Sequence, residues 1–167
     1  NIIKAKKLLN WSVLFSAMIN EIVEAYDDHY SYELNVVKLH KGQNEVAAMM
    51  RDILKDSKMI RDRSTHLYDP ASQDQEYFED KVQEYYSLRC VTQILDPVYD
   101  TIDQVENVLV NELNSVNDNP VIDHENKNIF HGGNFHGDYV SLEMDKLKIA
   151  ITKLSMVSER QLNYLLN

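Results

Sequence analysis

At 167 residues, with 44% apolar side chains and only four glycines and three prolines, the chain has the length of one domain. Its make-up suits a helical globule better than a sheet protein or a disordered one. A formal net charge of −10 with no run of Lys or Arg argues against nucleic acid and anionic membrane as partners, because phosphate binding needs clustered cations. A lone cysteine, Cys90, cannot form an internal disulfide, which fits a reducing, cytoplasmic setting. The longest uncharged stretch, Leu8 to Asn20, is too short to span a bilayer, and no signal-peptide pattern opens the chain. The absence of an initial Met and a last helical pattern that runs uncapped to Asn167 read as a piece of a longer protein.

In chain order, Leu8, Trp11, Phe15, Met18, Ile22 and Ala25 recur in steps of three and four, which predicts an amphipathic helix with these residues as its buried seam. It ends near Asp27-Asp28-His29. These three could ligate a metal, but without a second cluster nearby a solvated turn is the favoured reading. A second helix is predicted from Gly42-Gln43, with Val46, Met49, Met50 and Ile53 on one side. From residue 56 to 80 charge rises, Pro70 appears and periodicity fades, predicting a mobile solvent-facing loop, either a lid or a plain connector.

If Val82 to Cys90 is helical, Gln83, Tyr86 and Arg89 form a slanting row of amide, phenol and guanidinium. Arg89 is the natural fork for a carboxylate. A surface helix with an ordinary Tyr–Arg stack explains the spacing equally simply. Pro97 either starts a new helix or kinks a continuing one. Beyond it Val98, Ile102, Val105, Leu109, Leu113 and Val116 keep the helical rhythm, as do Met144, Leu147, Ile151, Leu154, Ser158, Leu162 and Leu165 after the next loop. No strand-like alternation persists. The predicted fold is therefore all-α, a single domain (1–167) built as a bundle of long antiparallel helices.

The exception is 116–137, from Val116-Asn117-Asp118-Asn119-Pro120 to His131-Gly132-Gly133-Asn134-Phe135-His136-Gly137. Gly132 and Gly133 can take positive φ, and Asn119 before a proline is pushed out of helical geometry. An irregular Gly-rich loop inside a helical chain marks a candidate site. His131 and His136 have the wrong spacing for a zinc site and no cysteine or carboxylate cluster beside them, so no metal is assigned. No Lys accompanies the glycines and no strand precedes them, so a phosphate cradle is weak. What remains is an aromatic, amide-lined wall with Asn134 and Phe135 facing a flat ligand or prosthetic group.

Taken together, Leu39-His40-Lys41-Gly42-Gln43, Gln83-Glu84-Tyr85-Tyr86-Ser87-Leu88-Arg89-Cys90, Asn114 to Pro120, His131 to Gly137 and Ser158-Glu159-Arg160 resemble, in order, motifs of the aromatic amino-acid ammonia-lyase family. The resemblance implies a fragment of a fumarase/aspartase-like helical core, central to C-terminal in a longer lyase and lacking its N-terminal prosthetic-group region. It also implies a homotetramer whose active sites are shared between subunits. The implied electrophile is 4-methylideneimidazole-5-one (MIO), made from an internal Ala-Ser-Gly. No such triad occurs here, since Ala71-Ser72 is followed by Gln73. By motif, Gln83 and Tyr86 match positions lining substrate and prosthetic group, as the catalytic pair. Arg89 matches the carboxylate-binding arginine, and Asn134 and Phe135 match residues packed on the prosthetic ring.

Lys41, Glu84, Thr92 and Asp96 depart from the family's usual Pro, Asp, Pro and Gly. Ser87 to Cys90 and Phe135 to Gly137 resemble the histidine and bacterial enzymes more than the plant phenylalanine ones. The implied activity is elimination of ammonia from an aromatic amino acid, histidine first, giving urocanate, with the fragment alone inactive. The alternatives are an aminomutase with the same cofactor and a catalytically silent helical oligomerisation module.

Overall fold

The computed structural model describes residues 1–68, 77 and 81–166. Four helices carry the core: α1 (Ile2–Ile22), α3 (Lys41–Leu54), α6 (Val91–Leu113) and α7 (Asp138–Leu166). Short helices α2 (Tyr32–Val36), α4 (Arg63–His66) and α5 (Tyr86–Arg89) lie in the connections. Helices α6 and α7 run antiparallel. The start of α7 follows directly on the loop beyond α6, and Tyr164 near its end packs on Tyr85 just before α5. Val13, Val46, Met50, Leu95, Val98, Ile102, Val105, Leu147 and Leu154 meet in the core.

Pro97 lies inside α6, which starts at Val91 and continues through it. The proline removes only the N–H that would have bonded one turn back, and the helix tolerates this near its start. Helix α3 comes close to α6 at Gly42. A Cβ there would stand 2.5 Å from the Asp96 backbone oxygen and 2.8 Å from its Oδ1, so only glycine fits.

The face of α1 expected to be buried is the outer one. Leu8, Trp11, Phe15, Met18 and Ile22 are exposed, while Ala5, Leu9, Ser12, Val13, Ser16, Ala17 and Asn20 pack inward. Two periodic stripes share this helix. The large apolar one was read as core because burial usually follows size, yet the small one lets α1 approach its neighbours closely. The ends of the other stripes also emerge: Ile53, Leu113, Val116, Leu162 and Leu165 are exposed.

The loop expected to lack strands carries a small hairpin, β1 (Val121–Asp123) against β2 (Asn128–Phe130), with Val121 opposite Phe130 and Asp123 opposite Asn128. Three-residue strands are too short to show a period of two. The turn is fixed by Asp123, whose carboxylate accepts the Asn126 backbone N–H at 3.1 Å and its side-chain amide at 2.9 Å. Those bonds, the side-chain one foremost, hold the Asp123 carboxyl below the usual range.

Of the stretch expected to be a mobile loop, 56–68 is fastened to the rest. Arg61 makes a parallel bridge with Tyr26, Asp62 caps α4 by accepting from Ser64 and Thr65, and Leu67 is buried. Residues 69–76 and 78–80 of that stretch lie outside the described residues.

Candidate active site

Helix α5 is one turn long, so its side chains are placed by what holds its ends. It begins at Tyr86, and Val82 and Gln83 bend before it. The expected row of three is therefore a pair. Tyr86 and Arg89 share the turn, while Gln83 is exposed on the bent approach. The Arg89 guanidinium lies 4.7 Å from the centre of the Tyr86 ring, within range of a cation–π contact. Tyr86 is 71% exposed, whereas Arg89 is half-buried. Among the described residues its Nε is buried without a hydrogen-bond partner. A half-buried guanidinium with an unpaired N–H is a strong donor to a carboxylate.

Two side chains that no motif pointed to hold this turn. Gln161, buried on α7, donates through Nε2 to the Ser87 carbonyl at 3.1 Å and to the Ser16 hydroxyl at 2.8 Å, tying α5 to α1 and α7. Arg63, at the start of α4, donates through Nη1 to the Val82 carbonyl and through Nε to Asp28 Oδ2 at 2.8 Å. Its Nη2 lies 3.4 Å from His29 Nε2, and its guanidinium sits 4.0 Å from the Tyr26 ring centre.

Asp27-Asp28-His29 is thus not the solvated turn expected. His29 is only 6% exposed, inside the arginine's reach. Burial lowers its pKa to about 4; the Asp28 charge opposes this, and the Arg63 and Arg89 charges add to it. Among the described residues, no group of three or more His, Cys, Asp or Glu is placed to hold a metal ion.

The second half of the expected site lies on the 116–137 loop. Asn119 Oδ1 accepts the Gly132 N–H at 2.8 Å, and Asn134 Nδ2 donates to the Val116 carbonyl at 3.2 Å, so the two ends of the loop are laced together. His136 Nδ1 pairs with Asp138 at 2.9 Å. The glycines do not use positive φ; Lys127, at φ 58, is the loop residue that does. Among the described residues, a Cβ at Gly133 or Gly137 would meet nothing within 4 Å. Phe135 is 60% exposed. The loop presents an aromatic ring and bare backbone outward, a surface that a flat ring held by another segment would fit.

Within one chain the two halves do not meet. Arg89 precedes the first turn of α6, and the loop follows its last. The 23 residues between them place the two groups about 35 Å apart at 1.5 Å per residue. What the chain does build at the α5 end is a cleft of about 790 Å³ between Tyr85, Tyr86 and Ile94 and the α7 residues Met156, Arg160 and Tyr164. The Tyr85 and Tyr164 rings tilt against each other there, centres 5.1 Å apart.

The whole chain, residues 1–167, matches the family model described as aromatic amino acid lyase. The chain belongs to that family. It is 39% identical over 98% of its length to a tyrosine 2,3-aminomutase of Myxococcus sp. (strain Mx-B0), covering 32% of that protein. Against a histidine ammonia-lyase of Caldanaerobacter subterraneus subsp. tengcongensis it is 32% identical over its full length, covering 30% of it. Its fold superposes on a tyrosine aminomutase from Streptomyces globisporus with a TM-score of 0.89 at 32% identity, covering 99% of this chain and 32% of that one. The chain thus spans about a third of the length of each of these three proteins.

Proposed function

We propose that the full-length protein eliminates ammonia from an aromatic L-amino acid, and that α5 of this chain receives the substrate's carboxylate. The observation that carries this is the half-buried Arg89, stacked on Tyr86 with its Nε unpaired among the described residues. A carboxylate bound there would gain a charge-assisted bond in partly desolvated surroundings. Tyr86, largely exposed beside it, orients the adjacent part of the substrate; in this family reading it positions and does not remove the proton. The neighbouring cleft, lined by tyrosines, Arg160 and, among the described residues, no acidic side chain, suits an aromatic anion. Gln83, on the bent approach, stands at the mouth of the same turn.

The electrophilic MIO group, formed from an Ala-Ser-Gly outside this chain, supplies the activation that the weakly acidic β-hydrogen needs. Phe135 and Asn134 would form its wall. Asn134 is held by Val116, and the Phe135 ring stands free to pack on it. Because these residues lie about 35 Å from Arg89 along α6, the wall is completed by another copy. This is the reading under which the protein works as a homotetramer, in the cytoplasm.

Histidine was the ring expected from Ser87 to Cys90 and Phe135 to Gly137. The identities, 39% to a tyrosine enzyme against 32% to a histidine one, weigh toward a phenol ring. The same relative supports a second reading, an aminomutase that returns ammonia to the β-carbon. The test is to incubate the full-length protein with tyrosine, histidine and phenylalanine. Absorbance of the aryl acrylate is followed, and products are analysed for β-amino acids. Acrylate from tyrosine supports the lyase, and β-tyrosine supports the mutase. Silence with all three would leave a non-catalytic assembly module.

A further inference from the structure

The approach to α5, residues 82–85, has neither helix nor strand to fix it, yet it delivers the pair on which carboxylate binding depends. Its Val82 carbonyl is taken by Arg63, nineteen residues earlier in the chain. Arg63 is itself immobilised from several sides. Asp28 accepts its Nε, His29 faces its Nη2, Tyr26 lies under its plane, and its own backbone N–H donates to Asp27 Oδ1 at 3.2 Å. Its side chain is only 13% exposed. All three guanidinium nitrogens face protein partners and the side chain is nearly buried, so Arg63 is engaged with the protein from every nitrogen. What it does is fasten one piece of chain to another. Arg63 Nη2 lies 3.4 Å from His29 Nε2, and the Arg89 charge also acts on that ring.

We infer that Arg63 is a positioning residue for the candidate site, locking the Val82–Tyr85 approach against the Asp27–His29 turn so that Arg89 and Tyr86 meet the substrate carboxylate in register. This rests on the function proposed above. Gln161 holds α5 independently, at the Ser87 carbonyl, so loss of Arg63 should let the approach swing while the bundle stays folded.

The test uses the full-length enzyme with Arg63→Met, Arg63→Lys and Asp28→Asn. Two probes are compared by direct calorimetric binding: the aryl acrylate product, and the matching arylethylamine, which lacks the carboxylate. In Arg63→Met the acrylate should bind about tenfold or more weaker, the scale of a displaced binding group, while the amine changes little. KM should rise with the acrylate constant. Arg63→Lys should recover part of the loss, because one donor can still reach Val82 or Asp28. If Arg63→Met fails to fold, Asp28→Asn, which keeps the shape but removes the counter-charge, should show the same carboxylate-selective weakening on a smaller scale. Wild-type acrylate affinity in the variants, or equal loss for both probes, overturns the inference. Because binding is read directly, a wild-type protein that turns over none of the aromatic amino acids counts against the proposed reaction, while the comparison of probes still judges Arg63.

Discussion

At the scale of single residues, His29 and Arg89 are the two whose environments make the sharpest demands. His29 is neutral in the fold, with its pKa lowered from the ordinary 6.5 to about 4 by burial. Its contribution to stability is therefore complete above pH 6.5 and is lost as the unfolded chain takes up a proton between there and pH 4. The loss is at most roughly 3 kcal/mol. The thermal midpoint is expected to fall over that window, and His29→Gln should flatten the fall. Arg89→Lys should weaken carboxylate binding by about tenfold or more, because a point charge replaces a planar fork; steady-state KM is the measurement, with kcat less affected. The Tyr86–Arg89 pair was legible because three residues make nearly one turn. Gln83 was not, since Gln and Glu favour helix and nothing local announces that the chain bends at Val82 and Gln83. Arg63 was invisible as a clasp because its partners lie 19 and about 35 positions away.

Among elements, α3 and α6 approach closely at Gly42. Gly42 meets the Asp96 backbone there, so Gly42→Ala forces the helices apart and is expected to cost about 1–3 kcal/mol, read as a lowered thermal midpoint. Asp96 itself is buried. Its carboxyl is held above the usual range first by burial and then by the Asp100 charge, while the Gln43 backbone N–H pulls the other way. The fold thus favours the protonated form, whose stabilisation is present in acid and lost as pH rises through the raised value. Asp96→Asn keeps an acceptor for that N–H and should raise the thermal midpoint at neutral pH, with the gain vanishing at about pH 4 and below. Helix positions in this region were readable from period alone. The inward face of α1 was not, because Ser12, Ser16 and Asn20 carry no hydrophobic signal. Asn20 donates its side-chain N–H to the Ser16 carbonyl, and the Ser16 hydroxyl accepts from Gln161, so these polar groups of the inner face pair with one another.

For the molecule as a whole, the length of α6 is the controlling dimension. It keeps the α5 turn and the glycine loop apart, so under the function proposed above their motifs would share a cavity between copies. Co-expressing full-length Arg89→Ala with Phe135→Ala should then restore up to about a quarter of the wild-type activity, the share of sites that draw an intact half from each variant. If one copy supplied both halves, every mixed site would stay silent. The bundle was readable from periodicity, and the five collinear motifs carried the family. The distance between the half-sites could not be read from motifs, which record order and not reach.

The outward face of α1 carries a consequence of a different kind. Trp11 is the sole tryptophan of the chain and stacks on Phe15 with ring centres 5.5 Å apart, half-open to water. Its fluorescence is therefore an optical label confined to that face. Whatever comes to lie over α1 should shift the emission to shorter wavelength without disturbing the interior, and covering of the face could be followed in real time without attaching a dye.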